Sequence, residues 1–180
     1  NAANMVLKSE KTSGAQTWAG TTLSTPMGLA TAIPFTTSAT TISCIVYSPS
    51  AGIPVRLKAE DATSMGAIAV ETEALTTVAN AWDTLVFDFA NPAAGTPAID
   101  FTQTYDLISI FYDFGTAPAT PANSYYVDDV FFGGASGGGP TSANVTFKVD
   151  LSEYTGPAYT TVNLNGTFNN WCGSCAPMTS

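Results

Sequence analysis

Charged side chains that could contact a ligand lie close together in one short segment, residues 54–60. This segment alternates apolar and charged residues. Successive side chains of a strand point to opposite faces, so Arg56, Lys58 and Glu60 are predicted to share one face. A planar guanidinium such as that of Arg56 can hold two acceptors at once. These charges could form ion pairs, donate hydrogen bonds to ligand hydroxyls, or do both. The acidic candidates for pairing are Glu60, Glu71 and Glu73.

Two tryptophans differ in what their neighbours predict. Trp18 follows a turn and is flanked by small or polar residues, so its ring could be exposed for stacking on a pyranose or could pack in a core. Trp82 precedes a predicted strand, and we expect it to pack at the end of the fold. If Arg56, Lys58 and Glu60 share one face of a strand, that face should be concave and bordered by Trp18 and by Tyr112 or Asp113.

The composition excludes several classes of chemistry. The chain contains no histidine, so it cannot build a Ser-His-Asp or Cys-His nucleophile pair or a His-ligated zinc site. Fourteen acidic against five basic residues give a formal net charge of -9 over 180 residues, and no basic cluster could bind a phosphate backbone. This charge balance argues against nucleic-acid binding. No run of about 18 apolar residues occurs, so we expect no membrane insertion either.

The three cysteines are too few for a disulfide framework. The segment at residues 171–175, WCGSC, is similar to a thioredoxin active-site motif. Redox use would need its first cysteine at a helix N-terminus after a strand, but only five residues follow Cys175. A local disulfide between Cys172 and Cys175, or two spare thiols, is the preferred interpretation. Cys44 falls within a predicted strand and should be a small buried hydrophobe.

β-strands are the elements predicted to position these residues. Six segments rich in β-branched or aromatic residues alternate with turn clusters. They cover residues 42–47, 54–60, 68–74, 84–89, 107–114 and 125–132. Their spacing predicts an all-β domain, an antiparallel sandwich, with a turn at 61–65. Leu85, Phe87 and Phe89 should share a buried face, and 107–114, apolar on both faces, should be a central strand.

A change in composition divides the chain. The run from Gly133 to Pro140 is rich in glycine and serine and predicts a flexible tether. We therefore assign residues 1–133 to one domain, 134–143 to a linker and 144–180 to the opening strands of a second domain. Two strands cannot bury a core by themselves, so the parent protein is expected to be longer.

Parts of the first domain resemble bacterial carbohydrate-binding modules of the galactose-binding-like β-sandwich type. The segment at residues 125–132, YYVDDVFF, is similar to the last strand of such modules, which accompany xylanases and laminarinases. Further segments look like other parts of modules from marine Bacteroidetes: residues 7–12, 16–20, 53–62 and 111–115. The resemblance implies a jelly-roll sandwich that binds a polysaccharide without catalysis.

A second resemblance begins after the predicted linker. Residues 145–152 and 162–171 are similar to the opening strands of immunoglobulin-like starch- and glycogen-binding domains, in which Asn-Gly-x-Phe-Asn-x-Trp is characteristic. The match implies a truncated immunoglobulin-like segment and a tandem of glycan-related modules. Such tandems occur in exported bacterial proteins, so we expect the chain to be secreted or held at the bacterial cell surface with further domains.

The first resemblance also implies a structural Ca²⁺ with Asp128 as a ligand, because carboxylates suit this ion. The strand that usually carries an acidic pair ahead of Leu7 in these modules is missing from the sequence. Asp128 and Asp129 follow each other in a predicted strand, so they should point to opposite faces. A carboxylate that bonds a turn or a Ser or Thr hydroxyl is the alternative.

The resulting expectation is a non-catalytic glycan-binding module, with laminarin-type β-1,3-glucan as the first guess. The acidic balance favours a neutral polymer, although a local Arg56/Lys58 patch could outweigh it. The expected glycan-binding residues are Trp18, Arg56, Lys58, Glu60, Tyr112 and Asp113. The alternative is a structural or adhesive spacer in a cell-surface fibre, with no exposed aromatic on the concave face. A glycosidase needs two carboxylates about 5–10 Å apart across a groove, which is disfavoured in so small a sandwich.

Overall fold

Two four-stranded antiparallel sheets form the regular structure of residues 6–132, which with residues 155–156 are the part of the chain that the computed structural model describes. The strands are β1 (Leu7–Glu10), β2 (Thr21–Thr22), β3 (Thr41–Ser48), β4 (Pro54–Glu60), β5 (Ala69–Leu75), β6 (Ala81–Asp88), β7 (Leu107–Tyr112) and β8 (Ser124–Phe132). Sheet A has the order β1-β8-β3-β6 and sheet B the order β2-β7-β4-β5. This is the eight-stranded jelly-roll sandwich, and the all-β prediction is confirmed.

Period-two alternation builds the core between the sheets. Along β4, Val55, Leu57 and Ala59 are completely buried, while the charged residues between them are only partly buried. Leu85 and Phe87 in β6 face the same core, as predicted. The core therefore takes alternate side chains from both sheets and leaves the intervening ones on two outer faces.

Cys44 in β3 belongs to this core, as its mid-strand position predicted. Its side chain is 1% exposed, and burial raises the pKa of its thiol to about 12. β7 lies between β2 and β4, which confirms it as an interior strand. The predicted turn at 61–65 is also present, where the amide of Ser64 donates to the carbonyl of Asp61 at 3.0 Å.

β8 contains a bulge opposite β3. Ile45 pairs with Asp128, but two residues along β3 Ser43 pairs with Phe131, so β8 has one extra residue. Asp129 within this bulge has a φ of 50°, in the left-handed region. Asp128 and Asp129 both border one depression on the surface. The prediction that they point to opposite faces is therefore wrong, because a bulge interrupts the alternation.

The chain divides into two compact units, residues 1–141 and 142–180. The predicted tether, the immunoglobulin-like opening strands and the pair Cys172 and Cys175 lie outside the described residues. Within the described part, no helix is long and apolar enough to cross a membrane.

Candidate functional site

The charged face predicted on β4 is present on the outer side of sheet B. Arg56 donates from Nη1 to Oε2 of Glu71 at 3.0 Å and from Nη2 to Oε2 of Glu73 at 2.6 Å. Lys58 pairs with Glu60 at 2.8 Å. β5 brings the two glutamates beside β4 because Arg56 pairs with Glu73, and Lys58 with Glu71, in the strand register. The ion-pairing interpretation is confirmed, and these groups are engaged within the protein.

A phenylalanine ring further confines the guanidinium of Arg56. Its Cζ lies 3.6 Å from the ring centroid of Phe114, and Phe114 in turn meets the edge of Phe111. The Arg56 side chain is only 12% exposed. Two carboxylates and one aromatic ring thus contact the Arg56 guanidinium, the group that was expected to donate to a ligand hydroxyl.

Tyr112 does not border this face, in contrast to the expectation. It is 3% exposed, and its ring stacks on that of Tyr125 with 4.7 Å between centroids and 6° between planes. Alternation along β7 places Phe111, not Tyr112, beside Arg56 on the outer face. Burial raises the pKa of the Tyr112 phenol far above its usual range. The structure therefore does not place Tyr112 on the outer face of sheet B, and its role as a glycan contact stays a prediction.

The loop that carries Trp18 is tied to the turn that follows β7. Lys11 donates from Nζ to the carbonyls of Thr17 at 2.6 Å and Asp113 at 2.9 Å. Gly115 donates its amide to the same Thr17 carbonyl at 3.1 Å. Asp113 thus acts through its backbone. Burial lowers the pKa of the Lys11 ammonium, and the Asp113 carboxylate opposes that effect.

Trp18 itself is 61% exposed, so the exposed alternative is confirmed. The loop ends at Gly20, which packs against the ring of Phe111 so closely that any Cβ at this position would overlap it. β2 then begins at once and pairs with β7. The exposed indole is therefore held on a short segment fixed at both ends to sheet B.

A second group of aromatic residues lies on the outer face of sheet A, where none was expected. Tyr47 in β3 pairs with Trp82 in β6 on one side and with Tyr126 in β8 on the other. The ring centroid of Tyr47 lies 5.8 Å from that of Trp82 and 5.6 Å from that of Tyr126. Trp82 is 46% exposed and is the second residue of β6, so it belongs to the strand that it was expected to precede. We call these three residues the aromatic cluster.

A shallow depression of about 270 Å³ adjoins the aromatic cluster. Its border consists of Val6, Ile45, Trp82, Asp128 and Asp129. The amide of Asp129 donates to Oδ1 of Asp128 at 2.9 Å, which holds that carboxylate in place. The depression combines an exposed indole, two apolar side chains and two consecutive aspartates, which come from four parts of the sequence.

The calcium expectation for Asp128 finds no complete set of ligands in the described residues. No group of three or more His, Cys, Asp or Glu side chains there could hold a metal. Ca²⁺ takes six to eight oxygen ligands, more than Asp128 and Asp129 supply. The expectation thus still depends on the resemblance alone.

Comparison with known protein-family models and with curated proteins finds no match to this chain.

Proposed function

We propose that residues 1–133 bind a polysaccharide without cleaving it, as a module of a larger exported bacterial protein. The observation that carries the proposal is the exposure of Trp18 on a loop fixed by Lys11 and Gly115. An indole exposes a large apolar area, and water contact costs about 25 cal/mol per Å² of such surface. Because the backbone of this loop is already held, a pyranose that stacks its C–H face on the indole has only the Trp18 side chain left to order.

The outer face of sheet B supports binding rather than hydrolysis. A glycosidase uses one carboxylic acid to protonate the leaving group and a second carboxylate as nucleophile or base. Glu71 and Glu73 both accept hydrogen bonds from Arg56, and Glu60 pairs with Lys58. These carboxylates serve as structural acceptors, so they do not form an acid and base pair that is open to substrate.

The same pairing favours a neutral ligand. Arg56 and Lys58 are matched by three glutamates, so sheet B offers no net positive patch to a sulfated or uronic polymer. The net charge of -9 repels such polymers further. Laminarin-type β-1,3-glucan remains the first candidate, through the resemblance to modules of laminarinases.

Affinity gel electrophoresis of the full 180-residue chain tests the proposal. Gels would contain laminarin, hydroxyethyl cellulose, starch or xylan, and the migration of the chain would be compared with that in a gel without polymer. We expect retardation by at least one polymer, with about a tenfold loss of affinity in Trp18→Ala. Phe101→Ala, which truncates an aromatic residue 41% exposed in the loop before β7, is the matched control.

The spacer alternative makes the opposite prediction for this experiment. A domain that serves only as a structural or adhesive spacer would migrate at the same rate with and without every polymer. Equal retardation of wild type, Trp18→Ala and Phe101→Ala would instead show that Trp18 is not the contact. The exposed Trp18 and Trp82 rings favour binding over the spacer role.

A further inference from the structure

A small cavity of about 80 Å³ lies at the open edge of the sandwich, next to the loop that carries Trp18. Ala19 and Gly20, the two residues that follow Trp18, line it. Its border at Glu10 and Gly20 is exposed, whereas the other lining residues include three that are buried: Lys11, Tyr112 and Tyr125. The volume corresponds to about two or three waters of ~30 Å³ each, which is room for a small side group of a ligand.

Two hydroxyl groups line this cavity from opposite sheets. Ser9 in β1 pairs with the buried Tyr125, and Thr21 in β2 pairs with the buried Ile110, so both side chains face the space between the sheets. Their oxygens lie 2.9 Å apart, in a hydrogen bond that joins the edge strands. Each hydroxyl has two acceptor lone pairs and one donor, so this one bond leaves acceptors on both groups and a donor on one.

The buried ammonium of Lys11 adds an unused donor to the cavity lining. Lys11 is only 7% exposed, and an ammonium has three N–H donors. Two of them go to the carbonyls of Thr17 and Asp113, and no hydrogen bond within residues 6–132 uses the third. Burial lowers the pKa of this ammonium. An oxygen atom of a ligand would therefore satisfy a charged donor that the fold leaves incompletely paired.

An apolar wall lies beside these polar groups. The rings of Tyr112 and Tyr125 stack with 4.7 Å between centroids and 6° between planes, and both residues line the cavity. A group that suits this lining has an apolar carbon and a hydroxyl within a few ångströms of each other. In a neutral polysaccharide the exocyclic hydroxymethyl group of a hexose has this chemistry, whereas a pentose such as xylose lacks that group.

We propose that this cavity is a subsite for the hydroxymethyl group of a hexose unit, beside the stacking contact at Trp18. The third N–H of Lys11 donates to the hydroxyl oxygen, the hydroxyl donates to Ser9 or Thr21, and the methylene lies against the stacked tyrosines. The module therefore prefers hexose polymers over pentose polymers. This inference rests on the proposed polysaccharide-binding function and adds to it a class of sugar.

The first test uses two sugars that differ only in this group, methyl β-glucopyranoside and methyl β-xylopyranoside. Each competes with the neutral polysaccharide that most retards the full 180-residue chain in the affinity gels. The glucoside should release the chain at about a tenfold lower concentration than the xyloside, since it alone can make a charged hydrogen bond in the cavity. A glucoside that competes no better than the xyloside, or competition by neither, would overturn the inference and leave the proposed function standing. A wild-type chain that no polymer retards would reject both.

The second test fills the cavity and leaves the Lys11 contacts in place. Ser9→Val with Thr21→Val replaces both partners of one hydrogen bond by apolar groups, a change that can be nearly neutral for stability. The two sugars should then compete within about twofold of each other. Thr22→Val with Ser109→Val is the matched control, because these hydroxyls are bonded in the same way at 3.1 Å on the outer face of sheet B. The control should keep the tenfold preference.

A filled cavity that keeps the full preference for the glucoside would overturn the inference. The same loss of preference in the control would overturn it too, because the effect would then not belong to the cavity. If the filled variant does not fold, the comparison of the two sugars on wild type still decides, since it needs no substitution.

Discussion

The two outer faces of this sandwich differ in what their side chains still have to offer. Sheet B presents the charges that the sequence marks as candidate ligand contacts, but Glu71 and Glu73 take up both ends of the Arg56 guanidinium. Sheet A presents an aromatic cluster with an exposed Trp82 beside a depression. A residue type suited to binding therefore does not by itself mark a binding site, because other groups of the protein can pair with it.

The largest effect that separates the two faces is expected from Arg56→Ala. The substitution removes two charged hydrogen bonds and the Phe114 contact, and it leaves two partly buried carboxylates close together. Fully buried pairs cost about 3–5 kcal/mol when one partner is removed, and exposed pairs contribute about 0.2–1 kcal/mol. We expect a loss of about 2 kcal/mol in the free energy of unfolding, measured by urea denaturation.

The matched control for Arg56→Ala is Lys8→Ala on sheet A. Lys8 and Glu10 also form an ion pair, but their side chains are 50% and 42% exposed. The unfolding midpoint of Lys8→Ala should stay close to that of wild type. Equal destabilisation by both substitutions would contradict the conclusion that Arg56 is a structural group.

The sequence predicts the positions of some of these residues and not of others. Strict alternation at 54–60 predicted both the strand and the face of Arg56, because a single strand contains all the necessary information. Residues 107–114 are apolar on both faces, so no local pattern could tell that Phe111 and not Tyr112 lies beside Arg56. The error with Tyr112 follows from this loss of contrast in an interior strand.

Trp82 and the aspartates escaped prediction for other reasons. The strand was expected from residue 84, but β6 begins at Ala81, so Trp82 alternates with the core instead of capping it. The aromatic cluster joins β3, β6 and β8, and that pairing is not a property of any one segment. The bulge at Asp129 likewise depends on the register with β3. Tyr47 and Tyr126 each alternate with core-facing residues of their own strand, and this alternation was the local sign of an outward aromatic face.

Trp82→Ala should have an intermediate effect on stability. The indole contacts two rings, and each aromatic pair contributes about 0.5–1.5 kcal/mol, but nearly half of its surface is already exposed. We expect a loss of about 1 kcal/mol in the free energy of unfolding, smaller than that of Arg56→Ala. A loss above that of Arg56→Ala would mean that the aromatic cluster is primarily a structural element of sheet A.

The core beneath both faces should show its own dependence on pH through Cys44. Burial raises the pKa of this thiol from 9.0 to about 12, so above pH 9 the unfolded chain releases a proton that the folded chain retains. Stability from this group is therefore complete below pH 9 and is lost as the pH rises towards 12. Between pH 8 and pH 10, wild type should lose about 1 kcal/mol more than Cys44→Ala in urea denaturation. An identical decline in both proteins would contradict the buried state of the thiol.

The smallest effect on stability is expected from Trp18→Ala. Trp18 is 61% exposed, so most of the surface of its side chain is in contact with water in the folded protein. The hydrogen bonds that fix its loop come from Lys11 and Gly115 and end on the Thr17 backbone. The substitution should therefore change the free energy of unfolding by less than about 0.5 kcal/mol, within the range of ordinary surface substitutions. Lys11→Met, which removes the two carbonyl contacts but keeps an apolar stem, should destabilise the protein more, because it loosens the loop without removing the Trp18 ring. Comparison of the two variants in urea and in the affinity gels separates the effect of the ring from that of its loop, because substitution of a binding residue weakens ligand binding without lowering stability.

Unfolding of Trp18→Ala at a much lower urea concentration than wild type would show that the ring contributes to folding. The contrast between a charged face whose groups are paired and aromatic residues that are exposed would then apply to Trp82 alone.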